Sequence, residues 1–141
     1  MKTHVLIATT AFFVSTAYAD PTARWYSDQQ VKAGGPLFAT HCAGCHGANA
    51  EGTKEWRKRD AQGRLPPPPL NGTAHTWHHP YKILHTTIQK GGARVGGVMP
   101  AFADKLNYAE ILSIIAWFQS LWPDEIYTRW LERDELSQTG G

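Results

Sequence analysis

The sequence has 141 residues, 42% of them hydrophobic and 18% charged, with a formal net charge of +2. That length allows one domain with a modest core, and the near balance of 14 basic against 12 acidic residues excludes the strongly cationic footprint of a nucleic-acid binder. Two cysteines are too few for a disulfide-rich scaffold.

At the N-terminus, Lys2 and His4 precede an apolar run from Val5 to Val14, which gives way to Ala17-Tyr18-Ala19 before Asp20. This is the pattern of a secretory signal peptide over residues 1–19, cleaved after Ala19. The run is shorter than the roughly 20 residues a spanning helix needs, so no membrane span is expected after cleavage. Loss of Lys2 lowers the formal charge to +1. Residues 20–26 then form a short polar leader containing Pro21, Trp25 and Tyr26.

Ser27 with Gln30 three positions on makes a capping box, which predicts a helix presenting Val31, Leu37 and Phe38 to the interior. Gly34-Gly35-Pro36 interrupts it, and an interior proline predicts a kink or a break there. The segment leads into Cys42-Ala43-Gly44-Cys45-His46. Two thiols three positions apart with an imidazole after the second is the pattern that attaches a c-type haem: each sulfur adds to a vinyl group, and His46 ligates the iron. A thioredoxin-like pair would want a strand before it and a βαβ context after it, and a structural zinc site would need four donors in a closed tetrahedron. The haem reading accounts for both thiols and the imidazole at once, and covalent haem attachment agrees with export to a periplasm.

Gly34, Phe38, Cys42, Cys45 and His46 resemble, residue for residue, the Gly-x3-Phe-x3-Cys-x2-Cys-His opening of class I cytochromes c. In that family the glycine lets the first and last helices cross closely and the aromatic residue packs beside them. Pro36 departs from the pattern. The resemblance covers residues from about 27 to 122 and implies a small all-α fold around one haem c, attached through Cys42 and Cys45.

From Gly47 to His79 no helical or strand period is sustained. Residues 51–65 carry Lys54, Arg57, Lys58, Arg59 and Arg64 against Glu51, Glu55 and Asp60; an ordinary solvated loop is favoured over a docking patch for an acidic redox partner. Pro66 to Pro69 is a stiff polyproline run. Pro69-Leu70-Asn71-Gly72 is similar to the family's segment below the haem, where a prolyl carbonyl accepts the second N–H of the ligating histidine. The resemblance maps that role onto Pro69, with Pro68 the neighbouring register. In the cluster Thr73 to His79, Trp77 is the best donor to haem propionates through its indole N–H. A competing reading makes one of His75, His78 and His79 the sixth iron ligand or part of an accessory copper or zinc site.

Pro80 suits a first helical position, and Ile83, Leu84, Thr87 and Ile88 form the apolar stripe of a helix that Gly91-Gly92 terminates. The glycine-rich loop that follows delivers Val98-Met99-Pro100-Ala101-Phe102. Met99 is the only methionine besides Met1, so an iron-binding thioether after signal cleavage can come from nowhere else. Gly97 to Phe102 is similar to the family's sixth-ligand loop; a core-filling methionine is the competing reading.

Asn107 with Glu110 opens a helix from Tyr108 to Leu121 that is apolar nearly all round, which predicts burial on several sides. Trp122-Pro123 ends it, and a further helix is expected over Asp124 to Leu136, packed through Ile126, Trp130 and Leu131, with residues 137–141 a fraying tail. One cytochrome c domain thus spans 27–136. The resemblance implies an electron carrier rather than an enzyme. Its partners would be redox protein donors and acceptors, among them a periplasmic dehydrogenase or a terminal oxidase. The alternatives are a haem-based sensor or peroxidase-like protein with a labile or open sixth site, and, further behind, a thiol or zinc protein without haem.

Overall fold

The structure, a computed structural model, describes residues 23–139; the signal peptide expected at 1–19, the start of the leader and the last two glycines lie outside the described residues. Five helices follow in order: α1 (Asp28–His41), α2 (Ala43–His46), α3 (Tyr81–Lys90), α4 (Tyr108–Ser120) and α5 (Asp124–Thr139). Two 3-10 turns, His75–His78 and Ala93–Val95, punctuate the connections. Among the described residues there is no strand, only an isolated bridge between Leu65 and Gly97, so the fold is all-α as expected.

Helix α1 starts where its capping box predicts: the Gln30 backbone N–H donates to Ser27 Oγ at 3.3 Å and the Ser27 N–H donates to Gln30 Oε1 at 2.9 Å. It continues as one helix through Pro36, where the sequence alone predicts an interruption. An interior proline costs about 3 kcal/mol of helix stability. Packing offsets that cost, because Gly34 and Phe38, on either side of the exposed Pro36, are buried against α4 in the most extensive helix pair of the molecule. A Cβ at Gly34 would overlap the Ser113 carbonyl, so the two backbones touch directly there. Phe38 lies against Trp117 with ring centroids 4.2 Å apart.

Helix α4 opens on the expected capping box, with Glu110 N–H to Asn107 Oδ1 at 3.0 Å and Asn107 N–H to Glu110 Oε2 at 2.8 Å. Its Ile111, Ile114, Ile115 and Phe118 are buried and form the centre of the core. Helix α3 begins one residue later than the sequence suggests. Pro80 takes the N-cap position, has no side chain with which to cap, and leaves that task to α5: Asp134 Oδ1 accepts from the Tyr81 N–H at 2.7 Å. The buried face of α3 is Leu84, His85 and Ile88, whereas Ile83 is 48% exposed, a correction to the expected stripe.

The last helix is longer than predicted, running to Thr139; Trp130 packs as expected, with Ile126 and Leu131 half-buried against the core, and the buried Tyr127 is an anchor the sequence reading did not name. Trp130 donates its indole N–H to the His79 carbonyl at 3.0 Å. The leader is tied to the same region: the Trp25 N–H donates to Tyr127 Oη at 2.9 Å, and the Trp25 indole donates to Gln119 Oε1 at 2.6 Å.

Candidate functional site

Cys42 closes α1, and its carbonyl receives both the Cys45 N–H at 3.1 Å and the His46 N–H at 2.9 Å, so the short α2 holds the two thiols and the imidazole on one turn. Both cysteines are free; Cys42 is buried and Cys45 exposed. Burial first, and the neighbouring Cys45 second, push the Cys42 thiol up to about 11. A thioredoxin-type nucleophile is tuned the opposite way, towards thiolate.

His46 is 6% exposed, and its Nδ1 lies 2.8 Å from the Pro68 carbonyl oxygen. A carbonyl can only accept, so Nδ1 carries the proton and Nε2 is the unprotonated, electron-donating nitrogen. Burial lowers the pKa of this ring, a tendency the Pro68 bond partly opposes, and the ring is neutral at pH 7. A neutral imidazole with Nδ1 anchored and Nε2 available is what an iron ligand requires.

The residue that orients His46 is therefore Pro68 and not Pro69. Two amide donors set the register: Thr53 N–H reaches the Pro67 carbonyl at 2.9 Å, and Leu70 N–H reaches the Ala50 carbonyl at 2.8 Å. These bonds lay residues 50–53 along 67–70, with Gly52 in a left-handed conformation (φ +65°) directly against Pro68 and Pro69. The Pro69 carbonyl is occupied otherwise, accepting from Thr76 Oγ1 at 2.8 Å. Thr76 and Trp122, whose indole donates to the Leu70 carbonyl at 2.7 Å, are anchors of the proline segment that sequence reasoning missed. Neither is part of a spacing pattern; each is recognisable only once the carbonyl it meets is in place.

Met99 follows α3 in a loop closed by its own backbone. The Gly92 N–H donates to the Met99 carbonyl at 2.9 Å, the Gly97 N–H to the Gly92 carbonyl at 3.0 Å, and the Leu65 N–H to the Gly96 carbonyl at 2.7 Å. The Met99 and Trp77 side chains are half-buried and pack on the same core to which Cys42, Phe38 and Ile88 belong. Cys42, Met99 and Trp77, far apart in sequence, thus border one apolar core.

Of the three histidines of the 73–79 cluster, His75 and His79 meet and His78 turns away. His75 stacks on Trp56 (centroids 4.7 Å, planes 10° apart) and meets His79 edge-on at 5.2 Å, while His78 turns towards Trp77. Among the described residues no group of three or more His, Cys, Asp or Glu side chains converges as a metal site. The donors that fit a haem iron are one imidazole nitrogen and one thioether sulfur, with two free thiols beside the imidazole.

Comparison with known proteins agrees with this reading. A solved structure of cytochrome CL from the marine methylotrophic bacterium Methylophaga aminisulfidivorans is similar, with a TM-score of 0.51 and 33% identity over 67% of this chain and 55% of that one. The cbb3-type cytochrome c oxidase subunit FixP of Bradyrhizobium sp. (strain ORS 278) is 30% identical over 115 residues, which are 82% of this chain. The chain spans about a third of that relative's length. The profile of cytochrome c oxidase, cbb3-type, subunit III matches residues 29–118, a stretch that includes both helices crossing at Gly34, the Cys42 to His46 turn and the Met99 loop. The chain therefore belongs to that family, whose domains are class I monohaem c-type cytochromes.

Proposed function

We propose that this chain is a periplasmic monohaem cytochrome that passes single electrons between redox proteins, with haem c attached through Cys42 and Cys45 and the iron held by His46 and Met99. The observation that carries the reading is the bond from His46 Nδ1 to the Pro68 carbonyl, which leaves a neutral Nε2 as donor beside two free thiols. When bound, the haem supplies the electron chemistry, as iron cycling between its ferrous and ferric states.

The chain's own contributions follow from its residues. Pro68 fixes the His46 tautomer and raises its basicity. The apolar surroundings of Cys42 and Met99 exclude water and disfavour the extra charge of a ferric centre, which favours a comparatively high potential. Buried Cys42 supports an inner thioether link, and exposed Cys45 brings the outer one to the surface, where a partner can approach. Trp77 is the candidate donor to a haem propionate. With His46 and Met99 both holding the iron, no substrate would need to bind, and the chain would act as a carrier and not an enzyme. The name of the oxidase subunit among its relatives makes a terminal oxidase one candidate partner.

The mass of the denatured protein tests covalent attachment. Expression with a haem-attachment system should yield a chain that keeps one haem after denaturation. Cys42→Ser combined with Cys45→Ser should release it, and free thiols in the wild type would sink the proposal.

A further inference from the structure

The segment beneath His46 cannot hold itself in place. Pro66 to Pro69 have no backbone N–H, so these residues offer carbonyls only, and whatever fixes them must donate from elsewhere. The Pro68 oxygen meets His46 Nδ1 at 2.8 Å. The carbonyls around it are all engaged: Pro67 by the Thr53 N–H at 2.9 Å, Pro69 by Thr76 Oγ1 at 2.8 Å, and Leu70 by the Trp122 indole N–H at 2.7 Å.

Thr53 donates through its backbone, which any residue but proline would supply. Thr76 and Trp122 donate through side chains, and they are buried, at 4% and 2% exposure. Trp122 has little room to swing away. Its ring lies against Phe118 and Trp130, with centroids 6.1 Å from each, and a Cβ added at Gly72 would stand 3.1 Å from its Cδ1. Its own carbonyl accepts from Arg24 Nη2 at 3.3 Å. The family profile ends at residue 118, so this hold on the proline segment comes from outside the matched stretch. Only Pro69 separates Leu70 from Pro68, and its ring locks φ at about −65°. Less torsional freedom is then left to absorb a displacement of Leu70 before it reaches the Pro68 oxygen.

We infer that Trp122, with Thr76, is a positioning residue for the axial histidine: the two hold the carbonyls of Leu70 and Pro69 so that the Pro68 oxygen stays on His46 Nδ1. This rests on the reading of His46 as an iron ligand and adds the residues that tune it. A looser contact with Pro68 lowers the basicity of the imidazole, which disfavours ferric iron more than ferrous and raises the midpoint.

The test uses the haem-loaded protein and reads two quantities: the midpoint in a mediated titration, and the hydrogen exchange of the His46 Nδ1 proton by NMR of the ferrous form. Trp122→Phe keeps an aromatic ring and removes the donor. It should speed that exchange about fivefold, as local opening becomes easier. It should also raise the midpoint by the equivalent of about threefold in the ferric-to-ferrous equilibrium, or about 28 mV for a one-electron couple. Thr76→Val removes a hydroxyl at nearly constant volume and should move both readouts in the same direction; it carries the test if Trp122→Phe does not fold. Trp130→Phe is the matched control. It also deletes a buried indole donor, but one whose acceptor is the His79 carbonyl at 3.0 Å, so it should lower the urea midpoint and leave exchange and potential as in the wild type. Unchanged exchange and potential in Trp122→Phe, or equal shifts in Trp130→Phe, would overturn the proposal and leave Trp122 a packing residue. The same NMR spectrum separates the two levels. Wild-type His46 ring protons without the large upfield shift that haem ligation imposes would bring down the ligand reading, and this proposal with it.

Discussion

A single methyl group added at Gly52 would collide with the segment that holds His46. Its Cβ would lie 2.7 Å from the Pro68 oxygen and nearer still to Pro68 C and Pro69 N, on a backbone already in the left-handed region. Gly52→Ala should therefore cost on the order of 2 kcal/mol in urea unfolding. It should also shift the redox midpoint, because the displaced carbonyl no longer sets the imidazole's basicity. Unchanged stability and midpoint would show that Pro68 does not govern this ligand. At this scale the Cys42 to His46 turn was legible because its pattern is local, two thiols and an imidazole within five residues. The carbonyl beneath it was not, since four consecutive prolines offer four equivalent acceptors and the choice is made by the donors of Thr53 and Leu70. The accessory-metal reading of His75, His78 and His79 also depends on ring directions, which proximity in sequence does not specify.

Between elements, the crossing of α1 and α4 at Gly34 is the contact with least room. Gly34→Ala would drive a Cβ into the Ser113 carbonyl, whereas at Gly35 the nearest atoms are the Trp117 side chain, 3.2 Å away. The first substitution should destabilise by about 3 kcal/mol and the second by less than about 1 kcal/mol, compared by thermal and urea unfolding. The α3 start offers a second check. Asp134→Ala removes the acceptor of the Tyr81 N–H and should cost about 1 kcal/mol, of which Asp134→Asn should restore a good part by keeping the acceptor. Helices α1 and α4 were legible from their capping boxes, because those are local interactions. The continuity of α1 through Pro36, the burial of His85 and the cap that α5 provides were not, because each is decided by a partner distant in the chain.

Across the whole molecule, burial lowers the pKa of His75, His79 and His85, for His75 and His79 with help from neighbouring positive groups. Each folded pKa lies below the ordinary histidine value of 6.5, so as pH falls through 6.5 the unfolded chain takes up protons before the folded one. Stability should be greatest above that pH and decline on acidification, with His85→Leu, which removes a buried ring whose Nε2 has no partner, flattening part of the decline. Urea midpoints at about pH 7.5 and about pH 5.5 check the sign. At this scale the all-α class was legible from three motifs in family order, whereas the docking of α5 and the clip between the 51–65 loop and Gly97 came only with the fold. The most direct test of His46/Met99 ligation is the optical spectrum of the oxidised, haem-loaded protein in the far red, for the wild type and for Met99→Ala. The predicted result is a weak methionine-to-ferric-haem band that the substitution abolishes. A haem-loaded wild type without that band, or a band that survives in Met99→Ala, would contradict it and give the lead to a protein with a different or open sixth site.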